Sequence, residues 1–140
     1  MKLRVAGVGA GYFAQFHYEA WKRIEEIELV GLCDLDSEKA EQTAHIHNIP
    51  EVCSEFNRLC KKTKPDLVDI ITPPNSHKKL VETAFEHRIP VICQKPLAPD
   101  LKTAKEMVVL AEKEGVFFAV HENFRFQPWF EEIKKILKNQ

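Results

Sequence analysis

The chain has 140 residues and a mass of 16.2 kDa, with 44% apolar and 29% charged side chains, a composition that supports one globular core and not two. Twenty Lys and Arg stand against 21 Asp and Glu, a net charge of −1 without any strongly single-signed stretch, so nothing points to nucleic acid or an anionic membrane surface as a partner. The early apolar run VAGVGAGYF is too short to cross a bilayer and too glycine-rich for a signal sequence, and the scattered Pro and Gly exclude low-complexity chain.

Apolar runs and amphipathic stretches then alternate from end to end. Leu3–Val8 is a short strand, followed by a segment with Phe13, Phe16, Ala20 and Ile24 at helical spacing. Leu29–Cys33 is the next strand, and a polar helix opens near Ser37 and closes before Pro50. Val52–Cys53 is a weak strand, with Ser54 as the cap of a helix carrying Phe56 and Leu59. Leu67–Thr72 reads as a buried strand ended by Pro73 and Pro74. The stretch from Asn75 to Arg88 is a helix burying Leu80, Val81, Ala84 and Phe85. Pro90–Cys93 is a strand, Asp100 caps a helix with Leu101, Ala104, Val108 and Ala111 inward, and Val116–Val120 is the sixth strand. Glu131–Lys138 is a last helix. This alternation calls for a doubly wound α/β domain, a parallel sheet covered on both faces, with expected strand order 3-2-1-4-5-6.

Cys33, Cys53, Cys60 and Cys93 form no Cys-x-x-Cys pair and read as reduced thiols of a cytoplasmic protein. The histidines do not make a metal site: His45 and His47, two apart, face different sides of a helix.

The first strand runs into two overlapping glycine registers. A pattern starting at Gly7 puts Tyr12 at the third small position, where it would hold the helix off the sheet. Starting at Gly9, the pattern is Gly9-x-Gly11-x-x-Ala14, and Ala satisfies the need for close helix–strand packing. Gly9 then makes the tight turn, and Gly11 lets the backbone approach a pyrophosphate seated on the helix N-terminus. Asp34 ends the second strand about 20 residues beyond Ala14, the spacing at which a carboxylate accepts hydrogen bonds from adenosine ribose hydroxyls. The competing role for Asp34 is a turn or capping residue, since Asp36 and Ser37 follow at once. No Arg waits beside it for a 2′-phosphate, so NAD is expected rather than NADP. Gly7-x-Gly9-x-Gly11 is also compatible with an S-adenosylmethionine loop, which leaves a methyltransferase as a further reading.

Three later segments separate these readings: TPPNSH after the fourth strand, CQKPLA after the fifth and HENFRFQPWF near the end. Together with GAGYFAQFH they resemble the Gfo/Idh/MocA family of nicotinamide-dependent oxidoreductases, in order and over nearly the whole chain. The resemblance implies that Gly9, Gly11 and Ala14, with the backbone of Tyr12 and Phe13, hold the cofactor diphosphate, and that Asp34 is the ribose acid. Thr72, Pro73, Asn75 and His77 match the family's cofactor loop. Lys95 and Pro96 match a Glu-Lys-Pro signature whose Lys sits beside the nicotinamide and the reacting hydroxyl; here Gln94 replaces the Glu, at a position that lies against the cofactor. Arg125 and Pro128 match the crossover into a second domain.

Each of these residues also has a plainer reading. His17 falls on an apolar helix stripe and packs there, His77 can cap or pack in a first helical turn, and Lys95 can be a surface charge. Strand ends of parallel sheets are nevertheless where such folds bind ligands, and His121 and Glu122 sit at one. The implied division is 1–122 as dinucleotide-binding domain and 123–140 as the start of a crossover into a substrate domain. The implied activity is hydride transfer between nicotinamide and a sugar or polyol carbon, with Lys95 catalytic. In the family, the Asp and His that assist this Lys lie in the second domain, so residues 1–140 alone are expected to be inactive. The alternative is a stand-alone dinucleotide-binding or sensing module. Four aromatics, Phe124, Phe126, Trp129 and Phe130, cluster in the tail and suggest self-association through Phe124–Phe130; the competing expectation is that they fold back over the edge strand.

Overall fold

Six short runs rich in Val, Ile and Leu become six parallel strands, and the amphipathic stretches between them become the helices that cover both faces. The computed structural model describes residues 1–138. In chain order the elements are β1 (Leu3–Val8), α1 (Ala14–Lys22), β2 (Ile27–Cys33), α2 (Ser37–His47), β3 (Val52–Cys53), α3 (Phe56–Thr63) and β4 (Leu67–Ile70). There follow α4 (Pro74–Glu86), β5 (Val91–Gln94), α5 (Leu101–Glu114), β6 (Phe118–His121), a 3₁₀ turn (Asn123–Phe126) and α6 (Pro128–Lys138). The strand order is β3-β2-β1-β4-β5-β6, all parallel, as expected. The chain therefore reverses direction across the sheet between β1 and β4, which opens a crevice at their carboxyl ends.

The core has two parts, one on each face. Ala14 and Tyr18 of α1 and Ala40 and Ala44 of α2 pack with Val5, Leu29 and Leu32 on one face. On the other, Phe56, Leu59, Val81, Phe85 and Met107 from α3, α4 and α5 pack with Val68, Ile70 and Val91. Because strand side chains alternate, residues two apart share a face, and this sorts β4 and β5. Leu67, Asp69 and Ile71 point toward α1, and so do Ile92 and Gln94.

Several expectations need correction. The Phe13–Phe16–Ala20–Ile24 stripe of α1 does not face the core: Phe16 is 47% and Ile24 43% exposed. The helix packs instead through Ala14, His17 and Tyr18, leaving the stripe to overhang the bare part of the sheet at β5 and β6. The inward face of α5 is likewise rotated, to Met107 and Ala111, with Leu101 and Val108 exposed; Asp100 does cap it, accepting from the Thr103 amide at 2.8 Å. Ser54 caps nothing, since the N-cap of α3 is Glu55 without a side-chain bond. Strand β4 stops at Ile70, two residues short of Thr72, and α6 begins at Pro128 instead of Glu131. The tail aromatics are not folded into the core: no residue of the 3₁₀ turn or α6 is buried.

Candidate functional site

The carboxyl ends of β1, β2, β4, β5 and β6 bring most of the singled-out residues to one edge of the sheet. After β1 the chain turns through Gly9, whose φ of +117° only glycine adopts without strain. A Cβ there would lie 2.7 Å from the Ile71 carbonyl oxygen. Gly11 differs. It is exposed, and a Cβ on it would meet no protein atom within 4 Å. Protein packing does not require glycine at 11, whereas close approach of a phosphate to the backbone does. Ala14 is 1% exposed against the sheet, which is why the third position must be small. No side chain caps the N-terminus of α1 and no acid lies in its first turn, while α2 and α5 are capped by Asp36 and Asp100. Its positive dipole end is thus left for an anion. Tyr18 braces the turn from below, its hydroxyl donating to the Gly9 carbonyl at 2.7 Å; burial, followed by the charges of Asp69 and Asp34, holds its pKa well above the ordinary value.

Asp34 is tied to this loop. Its Oδ2 accepts the Ala10 amide at 2.6 Å and its Oδ1 the Asp36 amide at 2.9 Å. The cap of α2 is Asp36, so Asp34 is the turn residue and not the cap. An ionised carboxylate has about four acceptor positions, and two protein bonds leave capacity for ribose hydroxyls. These residues fit the diphosphate and ribose of a dinucleotide.

The other half of the edge is built differently. Tyr12 is 80% exposed at the loop tip, and Phe13, Pro73 and Asn75 are also exposed around the crevice. Thr72 is half-buried and its hydroxyl oxygen accepts from Ser76 at 2.7 Å. His77 is 0% exposed, with its ring nitrogens 2.7 Å from the Thr72 carbonyl and 3.0 Å from the Leu97 carbonyl. It ties the loop after β4 to the loop after β5 and offers no nitrogen to a ligand. The buried amide of Gln94 is engaged by His17 at 3.0 Å and by the Lys95 N–H at 2.7 Å. Lys95 is half-buried at the end of β5, with its Nζ 4.8 Å from the centroid of Phe124, a cation–π contact that links the tail to the strand end.

Three residues that carry this half were not singled out: Asp69, Trp21 and Asn123. Asp69, 1% exposed, accepts on Oδ2 from Trp21 Nε1 at 2.7 Å and lies 2.9 Å from His17 Nδ1. His17 stacks edgewise on His121 with ring centroids 4.6 Å apart, and burial, then the neighbouring His17, lowers the His121 pKa. Asp69 Oδ1, His121 Nδ1 and Asn123 Oδ1 are buried without a hydrogen-bond partner among the described residues. All three residues line a groove of about 550 Å³ beneath the overhanging Phe16 and Ile24. The available signal was a carboxylate inside the otherwise apolar run Leu67–Ile71, since a buried charge requires partners.

The four thiols are buried and unpaired, and burial pushes Cys33, Cys60 and Cys93 up to about 12. Burial thus keeps Cys33, Cys60 and Cys93 in the protonated, weakly nucleophilic form. No helix among the described residues is long and apolar enough to cross a membrane.

A glycine turn feeding an uncapped helix, an acid ending the second strand and a crevice at the strand reversal define a dinucleotide-binding α/β domain. Comparison with known proteins narrows this. Residues 3–122 match the model of the GFO_IDH_MocA oxidoreductase family with its NAD-binding Rossmann fold, and the chain belongs to that family. It is 36% identical over 138 residues to a D-apiose dehydrogenase of Paraburkholderia graminis, covering 99% of this chain and 37% of that protein. It is 35% identical to inositol 2-dehydrogenase 4 of Saccharopolyspora erythraea, covering 97% and 41%. An Agrobacterium radiobacter oxidoreductase, crystallised with NAD+, L-tartaric acid and magnesium, superposes with a TM-score of 0.93 at 34% identity, covering 99% of this chain and 41% of that one. The chain spans about two-fifths of the length of these relatives.

Proposed function

We propose that residues 1–122 form the NAD(H)-binding half of an oxidoreductase acting on a sugar or polyol carbon, and that residues 123–140 begin the crossover to a substrate domain. The reading is carried by the glycine turn at the uncapped N-terminus of α1, with Asp34 and Lys95 at ends of strands of the same sheet edge. The first-turn amides of Tyr12 and Phe13 would hold the diphosphate, Asp34 the adenosine ribose, and Thr72, Pro73 and Asn75 the middle of the cofactor. A bound nicotinamide supplies the hydride acceptor or donor. Lys95 would polarise the reacting hydroxyl and exchange its proton, its ammonium held near Phe124. The dehydrogenases of apiose and inositol among the relatives support a small polyhydroxylated substrate. Buried reduced thiols favour a cytoplasmic setting, and the exposed face of Trp129, Phe130 and Ile133 favours self-association or docking of further chain.

Calorimetric titration of the 140-residue chain with NAD(H), NADP(H) and S-adenosylmethionine tests the cofactor assignment. Binding of NAD(H) with the higher affinity supports it. Equal or tighter binding of NADP(H), or no binding of either dinucleotide, would overturn it.

A further inference from the structure

Asp69, His17 and Gln94 come from β4, α1 and β5, all buried, and their hydrogen bonds form one chain that ends on the backbone of Lys95. Its polarity follows from the chemistry of its end. The Lys95 amide can only donate, and it does so to Gln94 Oε1 at 2.7 Å, which fixes the oxygen end of that side chain. Gln94 Nε2 therefore faces His17 Nε2, 3.0 Å away. An amide NH2 only donates, so His17 Nε2 must accept, and the ring proton sits on Nδ1. That nitrogen donates to Asp69 Oδ2 at 2.9 Å, and the Trp21 indole donates to the same oxygen at 2.7 Å. Each donor is fixed by the one before it.

We propose that Asp69, His17 and Gln94 are positioning residues for Lys95, with His17 held as the neutral Nδ1–H tautomer. The chain fixes the amide from which the lysine leaves the end of β5, and so aims its side chain. This deepens the assignment of Lys95 as the residue beside the nicotinamide, and rests on it. It also accounts for glutamine where the family signature has glutamate. A carboxylate at 94 would put a second acceptor on an imidazole already bonded to Asp69, and both ring nitrogens would then need protons. Glutamine supplies the missing donor instead. An amide does not relay protons, so the chain orients Lys95 without conducting to it. The titratable groups facing His17 are Asp69 from β4 and His121 from β6; Phe13, just before its own helix, packs edgewise on the ring, and Trp21 shares Asp69 with it.

The test is nitrogen-15 NMR of the histidine rings in the 140-residue chain at neutral pH, with hydrogen exchange of the Lys95 amide and NAD(H) titration on the same sample. The expected result is His17 as the neutral Nδ1–H form, with the Lys95 amide exchanging at least about tenfold more slowly than in Gln94→Ala. Q94E is expected to make the His17 ring doubly protonated. The carboxylate of Q94E can still accept the Lys95 amide as Gln94 Oε1 does, so that amide should stay protected in Q94E. Q94E should likewise keep the NAD(H)-induced shift of the Lys95 side chain, which is lost in Gln94→Ala. A doubly protonated or Nε2–H His17 in the unaltered chain overturns the proposal whether or not the variants fold, as does a Lys95 amide indifferent to Gln94→Ala. NAD(H) binding with the wrong tautomer sinks the positioning role alone. The right tautomer with no NAD(H) binding sinks the cofactor assignment, and the positioning role with it.

Discussion

The two halves of the crevice hold their functional groups in place by different means. At β1 and β2 the work is done by backbone: a glycine in a positive-φ turn, an uncapped helix end, and a carboxylate that accepts two main-chain amides. At β4, β5 and β6 it is done by side chains that meet across three strands and a helix, Asp69, Gln94 and His121 around His17 and Trp21. Backbone conformation leaves a local trace in sequence, because only certain residues adopt it. Side-chain networks leave no fixed spacing, because their members are far apart along the chain. Asp69 and His17 are separated by 52 positions, and Gln94 and His17 by 77.

The comparison breaks hardest at Gly9. Gly9→Val must force a β-branched residue to φ +117° and press a Cβ toward the Ile71 carbonyl. Denaturant unfolding should show a loss of about 3 kcal/mol. Gly11→Ala meets no protein atom, so its stability should stay within about 0.5 kcal/mol, while its NAD(H) affinity falls about tenfold or more. If Gly11→Ala binds NAD(H) as well as the unaltered chain, the phosphate does not approach position 11 and the loop assignment fails.

Asp34 sharpens the same half. Asp34→Asn keeps the shape and one carbonyl acceptor but removes the charge that would repel a 2′-phosphate. The preference for NAD(H) over NADP(H) should narrow by about tenfold, which corresponds to about 1.4 kcal/mol. Paired titrations of the two cofactors measure it directly. An unchanged ratio would mean that Asp34 serves only the turn it closes with Ala10 and Asp36.

A smaller effect separates the halves by pH. His47, against Tyr18 on the β2 side, has its pKa lowered by burial and then by Lys22; His121, on the β6 side, is lowered by burial and then by His17. The folded chain therefore takes up these two protons less readily than the unfolded one, whose histidines titrate near about 6.5. Stability is fully present above that value and is lost as the pH falls through the lower folded-state values. Urea midpoints measured from about pH 8 to about pH 5 should decline, and should decline less in His47→Gln and in His121→Asn. A variant with the same slope as the parent would show that its histidine is protonated equally in both states.

How much was legible follows the same division. The strand order was legible because six β-branched runs alternating with helical stretches admit few right-handed parallel arrangements. Gly9 and Asp34 were legible because a tight turn and a strand-end acid occur at set spacing. Helix faces were less so. The aromatic spacing of α1 named Phe13, Phe16 and Ile24 as inward, but the close approach that Ala14 permits turns the helix onto Tyr18 and His17. His77 and Gln94 were placed at the crevice by motif alone. Which partners engage their polar atoms depends on Thr72, Leu97, His17 and the Lys95 amide, and periodicity carries no information on that. Asp69 was visible as a charge in a buried strand, yet its partners could be found only in three dimensions.

The least effect on stability is expected in the tail, and there the outcome is one of association. Phe124, Phe126, Trp129 and Phe130 remain 52%, 75%, 59% and 43% exposed, and Ile133, Ile136 and Leu137 continue an apolar stripe along α6. Lys95, at the sheet edge, touches this segment through a cation–π contact at Phe124. Side chains that bury nothing contribute little to folding, so Trp129→Ala with Phe130→Ala should leave the urea midpoint of the chain unchanged to within about 0.5 kcal/mol. The same apolar stripe in water favours association, because contiguous exposed apolar surface gains by being covered. Light scattering should therefore find the unaltered chain self-associating in a concentration-dependent way, and the double variant monomeric. A monomeric parent with a stability loss of about 2 kcal/mol or more in the variant would place these aromatics in the domain's own core. That outcome would overturn the proposal that the segment from residue 123 begins a crossover to further chain.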